Sequence, residues 1–238
     1  MTAPRSLGDF GYEDQCQENR RVNQQFIIDA AVSHIQQVLG GDSSGHDWWH
    51  IYRVWRMAVR LAEGEQADLF VVQLAALLHD IADWKFHDGD LTAGPRAART
   101  WMESQSVDAA TIDHVCAIIG QLSYKGAGVA TDMPTLEGRV VQDADRLDAI
   151  GAIGIARAFA YGGHAGRMLY DPTDPPEMHA SAQAYRNSRG ATINHFHEKL
   201  LLLKDRMQTA TGKQLAAQRH EYMEGYLAEF HAEWEGNR

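Results

Sequence analysis

The amino-acid sequence predicts an all-α protein. Apolar residues recur at the three- and four-residue spacing of amphipathic helices, and no stretch alternates convincingly between apolar and polar residues as a half-buried strand would. From Leu69 to Leu78 the chain is apolar with one polar interruption, Gln73, a pattern typical of a helix buried on all sides. At 238 residues and 45% hydrophobic content, the chain suits one large domain.

Gly and Pro breaks, together with N-cap residues, divide the chain into predicted helical segments. Residues 1–20 are polar and lack periodicity, so we expect an N-terminal arm there. Asp68 is a suitable N-cap for the central helix, and Gly40-Gly41 is a suitable end for the first helix. The predicted segments span residues 22–39, 47–62, 68–80, 96–104, 108–122, 136–159, 192–207 and 213–230.

Residues 161–176 are rich in glycine and proline, which predicts an irregular insertion rather than a helix. The polar groups of this segment include His164, Arg167 and Tyr170, and we expect it to border the ligand pocket as a lid. The apolar stripe of the two helical segments that follow is interpreted as core packing. No internal repeat or linker marks a second independent domain.

Composition and charge exclude several classes of protein. The net charge is −10 and no run is rich in Lys or Arg, so the chain is not built to follow a nucleic-acid backbone. No apolar run approaches the roughly 20 residues of a membrane span and no signal-peptide pattern opens the chain, so we expect a cytoplasmic protein without a membrane partner. Cys16 and Cys116 are too few and too far apart for a disulfide framework or a thiolate metal site.

The central helix ends in the adjacent pair His79 and Asp80, which indicates a metal site. A carboxylate and an imidazole at the end of a buried helix are costly to desolvate unless a cation or dedicated hydrogen-bond partners receive them. Adjacent helical residues point about 100° apart, so both side chains can converge on one ion. The best candidates for further ligands are His50 and Asp145, although each taken alone is equally consistent with a core histidine or a surface acid.

A rival interpretation is a zinc pair formed by His46 and His50. These histidines are four residues apart and would share one helix face. No third protein ligand is obvious for such a site, and His46 serves equally well in helix capping or in support of a neighbouring ligand.

The order of the candidate ligands resembles that of a known family. His50 stands in the pattern HxxRV, His79-Asp80 follows, and Asp145 stands in DADRLDA. Over roughly residues 25–160 this order is similar to that of the HD-domain metal-dependent phosphohydrolases. The dipeptide His-Asp occurs three times in the chain, but only the pair at 79–80 ends a long apolar helix.

The resemblance implies an HD-domain helical bundle with additional C-terminal helices. Residues 21–238 would form one domain, in which a metal-binding core over about 25–160 is followed by a helical cap over about 177–238. In this family the metal-binding Asp directly precedes the basic residue of DADRLD, which favours Asp145 over Asp143 and Asp148. Asp148 is the nearer competitor, and its position one turn further on suits a supporting role.

The metal set that the resemblance implies is His50, His79, Asp80 and Asp145. Mixed nitrogen and oxygen ligation suits one divalent ion, with Mn, Mg, Fe, Co, Ni and Zn all open. Families that bind two metals use further histidines between the His-Asp pair and the last Asp, and this chain has only His87 and His114 there. We therefore expect one metal ion.

The resemblance also implies a reaction, the hydrolysis of a phosphoester or phosphoanhydride. Asp83 stands where many family members carry an acid that helps to activate the attacking water, although a surface acid at a helix end is equally consistent with it. A transferred phosphoryl group needs positive charge around its oxygens. The candidate substrate-binding residues are Lys85, Arg53, His87, Lys125 and Arg146.

Within the family, the chain looks most like small stand-alone bacterial proteins, some of which are nucleoside triphosphate pyrophosphohydrolases. We therefore expect a small phosphorylated substrate, a nucleotide above all, and no nucleic-acid polymer. A dinuclear-iron oxygenase on the same scaffold and a non-catalytic nucleotide-sensing module are the alternatives. A homodimer is left open.

Overall fold

The computed structural model describes residues 7–39, 47–82, 90, 92–122, 131, 133–178 and 189–238, except for the side chains of residues 7–14 and 16. Every regular element in these ranges is helical, which confirms the all-α prediction. A 3₁₀ helix (Leu200–Arg206) lies between the last two α-helices. The α-helices are α1 (Leu7–Leu39), α2 (Trp48–Glu65), α3 (Leu69–Leu78), α4 (Ala93–Ser104), α5 (Ala109–Gln121), α6 (Leu136–Asp148), α7 (Gly151–His164), α8 (Thr192–Glu198) and α9 (Ala210–Trp234).

Side-chain caps fix the starts of the helices that carry the site. The Asp68 carboxylate accepts hydrogen bonds from the backbone N–H groups of Phe70 and Val71, at 2.9 and 3.3 Å, which confirms the predicted N-cap of α3. The Asp47 carboxylate accepts a hydrogen bond from the His50 N–H at 2.9 Å and so caps α2. These caps satisfy N–H groups that have no partner inside their helix.

The core surrounds α3, as its apolar sequence predicts. Leu74, Ala75, Leu77 and Leu78 are completely buried. Helix α3 packs against α1, α2, α5 and α6, and α2 packs extensively against α6 as well. The first turn of α2, the C-terminal end of α3 and the last turns of α6 therefore meet on one side of the core. None of the helices in the described ranges is long and apolar enough to cross a membrane.

One predicted helix boundary is wrong. Helix α1 begins at Leu7 instead of near residue 22, and the side chains of Gln17 to Arg21 are exposed. The segment predicted as largely helical over 136–159 forms two helices, α6 and α7. The division lies at Gly151, whose φ of +77° belongs to the left-handed region that favours glycine. A Cβ atom at this position would also lie only 3.0 Å from the Arg219 Cγ.

The predicted irregular insertion begins later than expected, because α7 continues to His164. Gly162 lies inside α7 and faces Thr192 so closely that a Cβ atom would overlap the Thr192 hydroxyl. The irregular residues that follow are held on the C-terminal helices. The Thr192 N–H donates to the Met168 carbonyl at 2.9 Å, and the Tyr170 ring packs 5.0 Å from the Trp234 ring. The role of residues 161–176 as a lid stays a prediction.

Candidate metal centre

Three helices bring the four predicted metal ligands together. His50 lies in the first turn of α2, His79 and Asp80 directly follow α3, and Asp145 lies near the end of α6. The His50 Nε2 atom is 3.6 Å from both Asp80 Oδ2 and Asp145 Oδ1, and the His79 Nε2 atom is 3.6 Å from Asp80 Oδ2. Ligand atoms at about 2.0–2.2 Å from one ion lie about 3–4 Å apart, so these separations match a common ion.

The hydrogen bonds of both histidines leave the Nε2 atoms ready to bind a metal. His79 Nδ1 lies 2.8 Å from the Ala76 carbonyl oxygen, and His50 Nδ1 lies 2.8 Å from Asp148 Oδ2. Because these partners are acceptors, the Nδ1 atoms carry the protons and the Nε2 lone pairs point into the site. The His79 Nε2 atom is buried and has no hydrogen-bond partner within the described part of the chain, as expected for a ligand atom.

The pKa values of the two histidines move in opposite directions. Burial lowers the pKa of His50, and the Arg157 charge lowers it further, while the hydrogen bond to Asp148 and the nearby carboxylates oppose the shift. Burial also lowers the pKa of His79, but the charges of Asp80 and Asp145 outweigh this effect and raise it. Two carboxylates beside two imidazoles form a site that favours a divalent cation, since such a cation would neutralise the two negative charges of the carboxylates.

Asp148 supports this site from behind His50. Its carboxylate is 5% exposed and accepts hydrogen bonds from His50 Nδ1, from Arg53 through both Nε and Nη2, and from Arg157 Nη1. Burial raises the pKa of Asp148, but the hydrogen bonds from His50 and Arg53 and the charges of His50 and Arg157 outweigh burial and hold it well below its usual range. Asp148 therefore stays ionised and fixes the orientation of the His50 ring.

The imidazoles of His50 and His79 and the carboxylate of Asp145 fit a divalent metal ion, and the Asp80 carboxylate lies 3.6 Å from both Nε2 atoms. His50, His79 and Asp145 form the single group of three or more metal-ligating side chains within the described ranges. His114, one of the two histidines available for a second ion, instead faces Thr135, with its Nε2 atom 3.1 Å from the hydroxyl oxygen. The donor set leaves Mn²⁺, Mg²⁺, Fe²⁺, Co²⁺, Ni²⁺ and Zn²⁺ open.

The structure brings some of the predicted substrate-binding residues to the site and not others. Arg53 lies beside it through its paired hydrogen bonds to Asp148, at 2.7 and 3.1 Å. Arg146 is 7% exposed and donates to the Thr131 hydroxyl at 2.6 Å and to the Arg206 carbonyl, so its contacts support the fold. The remaining site predictions and the rival ligand lie outside the described residues; they are Asp83, Lys85, His87, Lys125 and His46.

Arg157 is the residue at the site that the sequence did not predict. It is a lone cation in the apolar segment GAIGIARAF of α7, and that isolation was the available signal. Its Nη1 atom donates to Asp148 Oδ2 at 2.7 Å, the same oxygen that accepts from His50. Arg157 and His50, a predicted metal ligand, therefore contact the same carboxylate oxygen.

Comparison with known proteins agrees with this description of the fold. Residues 48–150, which include all four predicted ligands, match the HD domain family model. Over 190 residues the chain is 41% identical to YpgQ of Bacillus subtilis, a match that covers 79% of this chain and 84% of YpgQ. The helical fold and the family-model match define an HD-type domain, and the chain belongs to the HD domain family.

Solved structures of bacterial relatives share the fold. A crystal structure from Lactobacillus plantarum superimposes with a TM-score of 0.75 at 41% identity, covering 88% of this chain and 97% of that protein. An HD-superfamily hydrolase from Bacillus thuringiensis gives a TM-score of 0.70 at 43% identity, with coverage of 89% and 98%. The complex of Bacillus subtilis YpgQ with ADP gives a TM-score of 0.70 at 37% identity, covering 89% of this chain and 96% of YpgQ.

Proposed function

We propose that this protein is a metal-dependent phosphohydrolase that acts on a small phosphorylated metabolite, and that this metabolite is a nucleotide. The observation that carries the proposal is the convergence of the His50 and His79 Nε2 atoms with the carboxylates of Asp80 and Asp145. The ADP complex of YpgQ supports a nucleotide, because the chain is similar to YpgQ over most of its length.

The residues of the metal centre have different proposed roles in the reaction. A divalent ion held there would act as a Lewis acid towards a phosphoryl oxygen and lower the pKa of a bound water. Asp80 and Asp145 would compensate the charge of the ion, and the imidazoles of His50 and His79 would complete the protein ligands. The Asp145 side chain is 35% exposed while that of His50 is 2% exposed, so a substrate would reach the site from the Asp145 side.

The segment after the metal pair completes the proposal. Helix α3 ends at Leu78, and the described residues continue to Ala82. Asp83 follows directly, and we propose that it acts as general base or acid towards the attacking water. Lys85 and His87 follow within the same segment and, with Lys125, are proposed to contact the phosphate groups of the substrate.

The test begins with metal analysis of the purified full-length protein. Hydrolysis of nucleoside triphosphates, nucleoside monophosphates, sugar phosphates, cyclic dinucleotides and a short single-stranded oligonucleotide is then compared with each divalent ion at fixed ionic strength. We expect one metal ion per chain, pyrophosphate release from triphosphates as the main reaction, and monophosphate cleavage as the second. Absence of turnover with every ion, or a clear preference for the oligonucleotide, would refute the proposal.

A further inference from the structure

Helix α9 reaches the turn between α6 and α7 through the side chain of Arg219. The Arg219 Nη1 atom donates a hydrogen bond to the Leu147 carbonyl oxygen. The carbon atoms of the same side chain cover Gly151, where a Cβ atom would lie 3.0, 3.1 and 3.2 Å from the Arg219 Cγ, Cβ and Cδ atoms. Arg219 therefore contacts both ends of the turn that joins the two helices.

This turn carries the carboxylate that supports His50. Asp148 directly follows Leu147 and is the last residue of α6. Its Oδ2 atom lies 2.8 Å from His50 Nδ1 and 2.7 Å from Arg157 Nη1. The Leu147 carbonyl and the Asp148 N–H belong to one planar peptide group. The hydrogen bond from Arg219 therefore holds the peptide group that directly precedes the Asp148 Cα atom.

The helix itself holds this peptide group weakly. The last four carbonyl groups of an α-helix have no partner inside the helix. Within the turn, the Leu147 carbonyl accepts a hydrogen bond from the Ile150 N–H at 3.3 Å, which is slightly longer than usual. A guanidinium is a charged donor, and hydrogen bonds with one charged partner are roughly twice as strong as those between neutral groups. Arg219 therefore supplies a stronger hydrogen bond to this carbonyl than Ile150 does.

Gly151 is the residue of the turn with the greatest backbone freedom. Its φ of +77° lies in the left-handed region, and glycine adopts positive and negative φ angles about equally readily. Because the Arg219 side chain packs directly against this residue, a different backbone conformation at Gly151 would disturb that contact. Arg219 thus favours the conformation in which α7 folds back and Arg157 reaches Asp148.

The position of Arg219 is unfavourable for a charged group that serves packing alone. Burial lowers the pKa of its guanidinium, the charge of Asp148 opposes this shift, and the charge of Arg60 adds to it. The guanidinium nevertheless stays protonated at physiological pH. An apolar side chain of similar length would cover Gly151 without the desolvation cost of a charge. The charged group therefore indicates a role beyond packing, which is the hydrogen bond beside Asp148.

We propose that Arg219 is a positioning residue of the metal centre. It holds the turn from Leu147 to Gly151 so that Asp148 keeps the His50 ring oriented towards the metal ion. Arg219 lies outside residues 48–150, the range that matches the HD domain family model, so the proposal makes α9 a part of the metal centre. This inference rests on the proposed function, because it requires that the site binds a divalent ion.

The first experiment measures the metal affinity of the full chain. Mn²⁺ or Co²⁺ is titrated by calorimetry into the metal-free wild type, Arg219→Met, Arg219→Gln and Arg219→Lys, at a temperature where circular dichroism shows the proteins to be folded. We expect the Met and Gln variants to lose about tenfold in affinity, the lower end for a residue that supports a metal ligand. The Gln variant also serves if the Met variant does not fold. Arg219→Lys keeps a charged donor without the planar fork, so we expect a smaller loss.

Two controls separate positioning from charge and from stability. Lys213→Gln removes an exposed positive charge from α9 and should bind the metal as the wild type does. Asp143→Asn weakens the contact of α6 with Gln208 and Thr209, so it should lower the Tm in EDTA without changing the metal affinity. Unchanged metal affinity in a folded Arg219→Met or Arg219→Gln protein, or an equal loss in either control, would overturn the proposal.

The second experiment tests whether Arg219 acts through Asp148. Arg219→Met is combined with Asp148→Ala, and the metal affinities of the wild type, the two single variants and the double variant form a double-mutant cycle. If Arg219 positions Asp148, Arg219→Met should cause no further loss once the Asp148 carboxylate is removed. A further loss of about tenfold in the Asp148→Ala background would show that Arg219 acts by another route, and would refute the proposal.

The two proposals fail in different ways. If the wild type binds the metal with an affinity that depends on Arg219 but hydrolyses no phosphorylated compound, the proposed function fails and the positioning role stands. If the wild type hydrolyses triphosphates and a folded Arg219→Met protein keeps the wild-type metal affinity, the positioning role fails and the proposed function stands.

Discussion

Replacing Asp148 tests how much the metal centre depends on a residue that does not bind the metal. Oδ2 of Asp148 accepts from His50 Nδ1, Arg53 Nη2 and Arg157 Nη1, while Oδ1 accepts from Arg53 Nε alone. In Asp148→Asn the amide oxygen takes the Oδ2 position, because the amide N–H groups would then face only one donor. The His50 hydrogen bond survives with a neutral acceptor. In Asp148→Ala it is lost.

The magnitude follows from this difference. Loss of the acceptor of a metal-binding histidine costs about 10–100-fold in metal affinity. Asp148→Asn keeps a weaker bond, so we expect the lower end, about tenfold or 1.4 kcal/mol. Asp148→Ala leaves the Nδ1 proton of a histidine that is 1% exposed without its acceptor, so we expect the upper end, about 100-fold or 2.7 kcal/mol.

The assay is Mn²⁺ or Co²⁺ titration into metal-free protein by calorimetry near pH 7.5, together with thermal unfolding in EDTA. The matched control is Asp143→Asn on the same helix, because Asp143 is fully buried and accepts hydrogen bonds from the Gln208 and Thr209 backbone instead. This control should lose stability but keep its metal affinity. Wild-type metal affinity in a folded Asp148→Ala protein would show that Asp148 does not orient His50.

Four further changes test separate parts of the molecule. Asp80→Ala should abolish bound metal in a folded helical protein, because Asp80 compensates the ion charge; stoichiometric metal by elemental analysis would contradict this. Asp83→Asn should retain metal and lose turnover, and an unchanged kcat would make Asp83 a surface acid. Lys85→Ala should chiefly raise KM in steady-state kinetics, as expected for binding present in ground and transition states alike. Gly162→Ala should lower the free energy of unfolding by about 1–3 kcal/mol, since its Cβ overlaps Thr192; an unchanged Tm would show that α7 and α8 can separate there.

The pH dependence of stability should carry the signature of Asp148. Its pKa is lower in the folded protein than in the unfolded chain, so ionised Asp148 stabilises the fold above the unfolded pKa of about 3.9. This stabilisation is lost as the pH falls through the folded pKa. The difference in unfolding free energy between the wild type and Asp148→Asn should therefore shrink below about pH 4.

Local signals were enough to predict most of the fold. The Asp68 and Asp108 caps act within a few residues, and the apolar periodicity of α2 and α3 reports directly on burial. The N-terminal part of α1 escaped prediction because its exposed polar residues give no periodic signal. The 3₁₀ helix escaped because the burial of Leu200 and Leu203, three residues apart, is equally consistent with an α-helix.

The proximity of His50, His79, Asp80 and Asp145 could be predicted from the sequence because their order and neighbours resemble those of a known family, but the position of Arg157 could not. If residues 136–159 formed one continuous helix, Arg157 would lie about 13–14 Å along the axis from Asp148, nine residues earlier. The turn at Gly151 instead folds α7 back, so that the Arg157 Nη1 atom lies 2.7 Å from Asp148. The left-handed backbone angle at Gly151 thus decides whether Arg157 reaches Asp148.

Charge distribution links the site to the size of its substrate. A net charge of −10 repels a long polyanion wherever the polymer extends over the surface within the Debye length, about 8–10 Å at physiological salt. A small phosphorylated ligand covers much less of that surface and meets less of this repulsion. We therefore expect mononucleotides or small phosphoesters to be hydrolysed in preference to RNA or DNA.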